Sequence, residues 1–277
     1  MKIDTNLAWQ RVSRSVSANL ALALPLAGVF SLLPALAVLF FVPQPLMEGD
    51  IKMNEVVAAM RHYVDTYRPW LPLIFGAQLA QFALQAAGSL ALVALFADRA
   101  LPTVGDAISI ALRRVLPYLA AEFLFTTLIA AIALTLLGAA AASDSLPLLI
   151  ITGLGLAVVV CYVVLRLLLL APVMVIERQT NPARALTRSW QLTRGQVGPM
   201  LLVAALMTLL QAVVAQACGL VAGALVALVA DAAAGRMANM AVIVVVASGF
   251  AIYMAAFVAE FHRQLTAPER HSASPFA

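Results

Sequence analysis

The sequence predicts an all-α, polytopic integral membrane protein with about six transmembrane helices, and two observations lead to this fold class. Of 277 residues, 64% are apolar and only 11% are charged, whereas a soluble domain carries about 25% charged residues. Six stretches of the chain also reach the roughly 20 mostly apolar residues that a membrane-spanning helix needs. These stretches are continuous and rich in Leu and Ala, which excludes the alternating strands of about 10 residues that build a membrane β-barrel.

The six stretches form a single predicted transmembrane domain. We expect the spans near residues 19–42, 71–97, 116–140, 146–174, 200–230 and 240–261. The domain covers residues 1–262, and a short cytoplasmic tail follows at 263–277. The first stretch exceeds the 7 to 15 residues that are roughly typical of the apolar part of a signal peptide, so we expect it to remain as an anchor.

The positions of Lys and Arg predict the orientation, because cytoplasmic loops of membrane proteins keep these residues. Of the 17 Lys and Arg residues, twelve lie on the side of the two chain ends, four lie on the opposite side, and Arg166 lies within the fourth span. We therefore expect a protein of the bacterial inner membrane with both termini in the cytoplasm. Topology also explains the net charge of +4, so we expect no nucleic acid as a partner.

A short amphipathic segment with arginines precedes each odd-numbered span. The three segments begin at Asn6, Thr103 and Asn181. Such segments are typical of helices that lie in the membrane interface, and we expect another in the external loop at 43–69. The recurring pattern indicates a threefold repeat of a helix-hairpin unit.

The third segment carries signals for both ends of a helix. Asn181 suits the N-cap and Pro182 suits the first turn, while Gly195 suits the position after the C-terminal end of the helix. At helical spacing the arginines of this helix share one face, which would turn toward lipid headgroups, each arginine contributing about 1 kcal/mol near an anionic leaflet. The alternative is that they are ordinary anchors that only set the topology. The candidate contacts to anionic lipid are Arg184, Arg188, Arg194 and Trp190.

Two ionisable residues, Glu122 and Arg166, fall inside predicted spans. At about 1.5 Å per residue, both lie roughly 10 Å below the cytoplasmic surface on consecutive antiparallel helices. We therefore expect an intramembrane ion pair, which either locks the third helix to the fourth or takes part in a proton or anion relay. A pair between Arg166 and Glu260 is the alternative.

Polar and small residues mark two further features of the spans. A stripe of glutamines at positions 78, 81 and 85 of the second span either bonds to neighbouring helices or lines a wet cavity. In the fifth span, small residues recur every four positions from Ala215 to Ala227 and predict a close-packing seam. That span is longer than a bilayer requires, which predicts a tilt or a break near Gly219.

The sequence contains no recognisable catalytic or metal-binding pattern. Its histidines, His62, His262 and His271, lie outside the predicted spans and do not form an HExxH motif. Walker, GxSxG and CxxC motifs are also absent from the sequence. We therefore expect no enzymatic activity, no cofactor and no metal.

The stretch at 168–195, LLLAPVMVIERQTNPARALTRSWQLTRG, resembles the membrane domain that is fused to some glycerophosphoryl diester phosphodiesterases. It is similar as well to uncharacterised YciC-type inner-membrane proteins. The resemblance implies a helical domain of the bacterial inner membrane, and in the fused proteins a separate barrel performs the chemistry. No barrel follows the sixth span in this sequence, so the resemblance does not imply phosphodiesterase activity here.

These features together favour a non-enzymatic inner-membrane protein that associates with phospholipid or serves as a membrane partner or scaffold for another protein. The alternative is a transporter for a small solute or lipid, with a path near Glu122 and Arg166 and along the glutamine stripe. A purely structural assembly subunit is the third hypothesis.

Overall fold

The computed structural model describes residues 4–42, 65–97, 103–143 and 145–266, and these residues form helices without a strand among them. Six helical segments within this part of the chain are long and apolar enough to cross a membrane. The predicted fold class is therefore confirmed. The helices are α1 (Thr5–Ala27), α2 (Leu33–Phe41), α3 (Leu71–Ala97), α4 (Val104–Ala141), α5 (Leu146–Leu167), α6 (Leu170–Ile176), α7 (Pro182–Leu192), α8 (Val197–Val229) and α9 (Ala232–Thr266).

Two of the three amphipathic segments continue directly into the following span. The Asp4 side chain caps α1, which runs on through a π-helical turn at Gly28–Leu32 into α2. Thr103 and Asp106 form a capping box at the start of α4, and that helix continues through Pro117. Neither segment has a glycine at its junction with the span, so nothing there stops the helix.

The third segment is a separate helix, α7, because the chain turns at Gly195 before α8 begins. Gly195 has a φ of 77°, a left-handed conformation that glycine adopts without steric cost. The interfacial helix expected at 43–69 lies mostly outside the described residues. Its described end is helical, with α-helical residues at 65–67 followed by a 3₁₀ turn at Arg68–Trp70.

Two central helices, α3 and α9, organise the bundle. Helix α9 contacts α1, α2, α3, α6, α7 and α8, and α3 contacts α1, α2, α4 and α6 as well. Their buried residues cluster in the C-terminal half of each helix. The backbone N–H of Asp4 donates to Gln264 Oε1 at 3.0 Å, so the first and last described residues lie at the same end of the bundle, which we call the termini end. The best-packed part of the core therefore lies near the termini end.

The small-residue seam of the fifth span packs α8 against α9, as the sequence predicts. A Cβ atom on Gly223 would lie 2.8 Å from the carbonyl oxygen of Gly235, and one on Gly219 would collide with Asn239. Backbones that approach this closely require residues without side chains. Of the predicted tilt or break near Gly219, the break is wrong, because α8 is continuous from Val197 to Val229 and its glycines serve close packing. The tilt stays a prediction.

Candidate functional site

Helix α7 is held against the end of α5 by two buried hydroxyl groups. The Asn181 side chain caps α7 by accepting hydrogen bonds from Ala183 N and Arg184 N at 3.0 and 3.2 Å. Ser189 and Thr193 are fully buried. Ser189 Oγ donates to the carbonyl oxygen of Arg166 at 2.8 Å, and Thr193 Oγ1 lies 3.2 Å from the same oxygen. Because α5 ends at Leu167, this carbonyl needs partners from outside its own helix.

The side chain of Arg166 is enclosed by two aromatic residues. Its Nε and Nη2 atoms donate to the Tyr162 hydroxyl at 3.0 and 2.7 Å, and Nη1 donates to the Trp190 carbonyl at 3.0 Å. The guanidinium carbon also lies 5.2 Å from the ring centre of Tyr162 and 4.8 Å from that of Trp190. Such cation–π contacts stabilise a desolvated cation. We call Tyr162, Arg166, Ser189, Trp190 and Thr193 the Arg166 node.

The structure does not bring Glu122 and Arg166 together, since no ion pair joins these two described residues. Glu122 instead accepts a hydrogen bond from the Tyr118 hydroxyl at 2.8 Å and lines a cavity of about 170 Å³. The alternative partner, Glu260, pairs with Arg11 at 3.1 Å and with Arg263. The physical reason is that α7 returns to the bundle and supplies Arg166 with a carbonyl and an aromatic ring.

Glu177 joins three helices at the termini end. Its carboxylate accepts from Arg188 Nε at 3.0 Å and lies 3.0 Å from His262 Nε2. Burial by itself raises the pKa of Glu177, but the hydrogen bonds and charges of Arg188 and His262 outweigh burial and hold the pKa below its ordinary value. Glu177 therefore connects the end of α6 to α7 and α9 as a carboxylate.

The four candidate lipid contacts have different surroundings. Arg184 on α7 and Arg194 in the turn after α7 are exposed and form no ion pair with any described carboxylate. The side chain of Arg188 is 44% exposed but is engaged by Glu177. Trp190 is 39% exposed while its ring covers Arg166. Two of the four predicted residues are therefore unengaged, and contact with lipid stays a prediction for all of them.

The three glutamines of the predicted stripe have different surroundings. Gln78 is exposed, whereas Gln85 lines a cavity of about 250 Å³ together with Ser31 and Ser89. The Gln81 Oε1 atom is buried and has no hydrogen-bond partner among the described residues. The cavity lies beside the π-helical turn that contains Ser31, a kind of helix irregularity that is frequent at functional sites.

Sequence reasoning missed Tyr162, Ser189 and Thr193 as the partners of Arg166. A signal was present, because Tyr162 precedes Arg166 by four residues and Ser189 precedes Thr193 by four, a spacing that places side chains on one helix face. Within the described part of the chain, no group of three or more His, Cys, Asp or Glu side chains is placed to hold a metal ion.

Comparison with known proteins gives one match. No curated protein and no solved structure matches the chain. A family model matches residues 139–266, which extend from the end of α4 through α9 and include the stretch at 168–195 that carries the resemblance. That stretch supplies Ser189, Trp190 and Thr193 of the Arg166 node. Over residues 139–266 the chain thus matches the family described as the membrane domain of glycerophosphoryl diester phosphodiesterase.

Proposed function

We propose that this protein is a non-enzymatic domain of the bacterial inner membrane that holds anionic phospholipid at its termini end, with both termini in the cytoplasm. The observation that carries the proposal is the arrangement of α7. One side of this helix is fixed to the Arg166 node, while Arg184 on the helix and Arg194 in the turn that follows it are exposed. A cationic helix that is anchored at the membrane interface suits negatively charged headgroups.

The arginines differ in what they offer to a lipid. Arg184 and Arg194 have no carboxylate partner among the described residues, so their guanidinium groups are free for phosphate oxygens, which match guanidinium geometry well. Arg188 already shares its charge with Glu177. We therefore assign the main lipid contacts to Arg184 and Arg194, with Trp190 beside them at the interface.

A double variant tests this assignment. We expect Arg184→Gln/Arg194→Gln to retain less anionic phospholipid through purification than the parent protein, as measured by native mass spectrometry. Arg188 stays unchanged in this variant, because its removal would also break the contact to Glu177.

The matched control is Arg68→Gln/Arg236→Gln, which removes the same charge from the opposite end of the bundle. Selective loss of anionic lipid in the α7 variant alone supports the proposal. Equal lipid retention in the parent and the α7 variant would mean that these arginines serve only as topology anchors.

A second candidate function, transport of a small solute or lipid, is supported by the cavity at Gln85, Ser31 and Ser89. Ser31, Gln85 and Ser89 give this mostly apolar cavity a few polar groups that suit water or a small polar solute. The test is a Ser89→Cys variant in which the exposed Cys161 and Cys218 are replaced by Ala, treated with a small water-soluble thiol reagent that does not cross the membrane. Rapid modification supports a water-filled path at this depth, whereas complete protection contradicts it.

A further inference from the structure

A second group of arginines lines a cavity that lies apart from the exposed face of α7. The cavity has a volume of about 400 Å³ and lies between the C-terminal end of α3, the first turns of α4 and the end of α6. Ligand sites in proteins typically have volumes of about 300 to 1,000 Å³. Its apolar wall includes Ala94, Ile110 and Val175, and its cationic lining consists of Arg113, Arg114 and Arg178. We call this site the arginine cavity.

The positive charges of the arginine cavity are not neutralised by the described part of the chain. Arg113, Arg114 and Arg178 form no ion pair with a described carboxylate. Glu177, the neighbour of Arg178 in the chain, is already engaged by Arg188 and His262. Three like charges around one concave surface repel each other, and an anion in the cavity would relieve that repulsion.

The cavity also has one wall that is fixed by a hydrogen bond. Arg114 Nη1 donates to the carbonyl oxygen of Arg178 at 2.8 Å. This bond ties the start of α4 to the chain segment that follows α6. It orients one guanidinium group in advance, which lowers the entropic cost of binding a ligand.

The backbone of Arg178 is strained in a way that favours a role for its side chain. Its φ is 55°, the only positive φ of a non-glycine residue in the described part of the chain. Arg178 follows the last turn of α6, a position where glycine is the usual residue, and a side chain in this conformation costs about 1 to 2 kcal/mol. Residues in strained conformations cluster at ligand clamps, and here the strained residue places a guanidinium in the cavity lining.

We propose that the arginine cavity is a binding site for a phosphate ester. Guanidinium groups bind phosphate oxygens in pairs of parallel hydrogen bonds, and the apolar wall suits the carbon chain to which the phosphate is attached. The phosphate belongs either to a phospholipid headgroup or to a soluble phosphate ester. This inference deepens the proposed function by giving it a specific site, and it depends on residues other than Arg184 and Arg194.

The decisive variant is Arg178→Gly. It removes one charge from the cavity and relieves the strained backbone, so we expect a protein at least as stable as the parent. We expect its affinity for phosphate ester to fall about tenfold, as is typical when one charged hydrogen-bonding group is lost. Arg113→Gln, which changes a different wall of the cavity, should weaken binding to a similar extent. Arg114 is left unchanged because it holds the chain at Arg178.

Binding is measured on the whole protein in lipid nanodiscs, with two probes that separate the sources of phosphate. One arm adds phosphatidic acid to phosphatidylcholine nanodiscs, and the other adds glycerol 3-phosphate to protein in phosphatidylcholine alone. Binding in the first arm that Arg178→Gly and Arg113→Gln weaken assigns the cavity to a lipid headgroup, and binding in the second arm that they weaken assigns it to a soluble ester. If the parent protein binds neither probe, the inference is wrong.

The Arg68→Gln/Arg236→Gln variant, which removes two charges from the opposite end of the bundle, serves as the matched control in both arms. Weaker binding in Arg178→Gly and Arg113→Gln, with the control unaffected, supports the cavity as the site. If both cavity variants bind like the parent protein, the inference is wrong, and the proposed function still stands if the Arg184→Gln/Arg194→Gln variant loses anionic lipid.

Discussion

Arg166 illustrates how a cation can be buried in a membrane-spanning helix without a carboxylate beside it in the described part of the chain. It is 8% exposed, and an uncompensated charge at that burial would be strongly destabilising. Tyr162 and Trp190 supply two oxygen acceptors and two aromatic faces. These contacts compensate the buried charge of Arg166, and a proton relay through Glu122 and Arg166 has no direct contact to support it.

The hydroxyl groups of the node should contribute measurably to stability. We expect the Ser189→Ala/Thr193→Val variant to lose about 1 to 3 kcal/mol, because the buried carbonyl of Arg166 is left without partners. Reversible unfolding in mixed detergent measures the change. Thr187→Val is the control, since the Thr187 hydroxyl bonds only to carbonyls of its own helix. Equal losses in both variants would contradict a specific role for Ser189 and Thr193.

Glu177 should make stability depend on pH. Its pKa is lowered in the folded protein from an ordinary value of 4.5, so the contribution of its carboxylate to stability is complete above that value. This contribution is lost as the pH falls through the lower folded pKa. Glu177→Gln should therefore be less stable than the parent protein at pH 7, and the difference should shrink below about pH 4.

Unfolding of Glu177→Gln and the parent protein between pH 3 and 8 checks this expectation. Arg188→Gln removes the charged partner of Glu177 and should weaken the same pH dependence. If the stability difference between Glu177→Gln and the parent stays constant over the whole range, the hydrogen bonds to Arg188 and His262 do not favour the carboxylate.

At the scale of elements, the pairing of α8 with α9 depends on glycines where the backbones meet. Gly223 faces Gly235, and Gly219 faces Asn239. The four-residue period of small residues made this seam predictable, because that period defines one helix face. The partner residues on α9 were not predictable, since a period on one helix does not identify the surface that it meets.

Adding one methyl group to the seam should separate α8 from α9. We expect Gly223→Ala to cost about 1 to 3 kcal/mol, because its Cβ would lie 2.8 Å from the Gly235 carbonyl oxygen. Gly249→Ala on α9 is the control, since nothing lies within 4 Å of a Cβ there; it should be neutral or stabilising by up to about 1 kcal/mol. Unfolding in mixed detergent distinguishes these outcomes, and equal stability of both variants would contradict a close-packed seam.

At the scale of the whole molecule, composition and the lengths of the apolar stretches predicted the fold class, because these quantities depend on the bilayer. Composition and stretch length could not show whether Glu122 pairs with Arg166. Residue counting gives the depth of a side chain but not the direction in which it points around its helix. It also could not reveal that α7 packs against the end of α5, which is what supplies Arg166 with its partners.

The orientation of the molecule remains a prediction that fusion reporters can test. Asp4 and Gln264 are in contact, so the first and last described residues lie on one side, and the arginine distribution predicts that this side is the cytoplasm. We expect a C-terminal green fluorescent protein to fluoresce and a C-terminal alkaline phosphatase to be inactive, whereas phosphatase inserted after Val42 should be active. The reverse pattern would place α7 and the arginine cavity outside the cell membrane, away from the anionic cytoplasmic leaflet on which the lipid proposal depends.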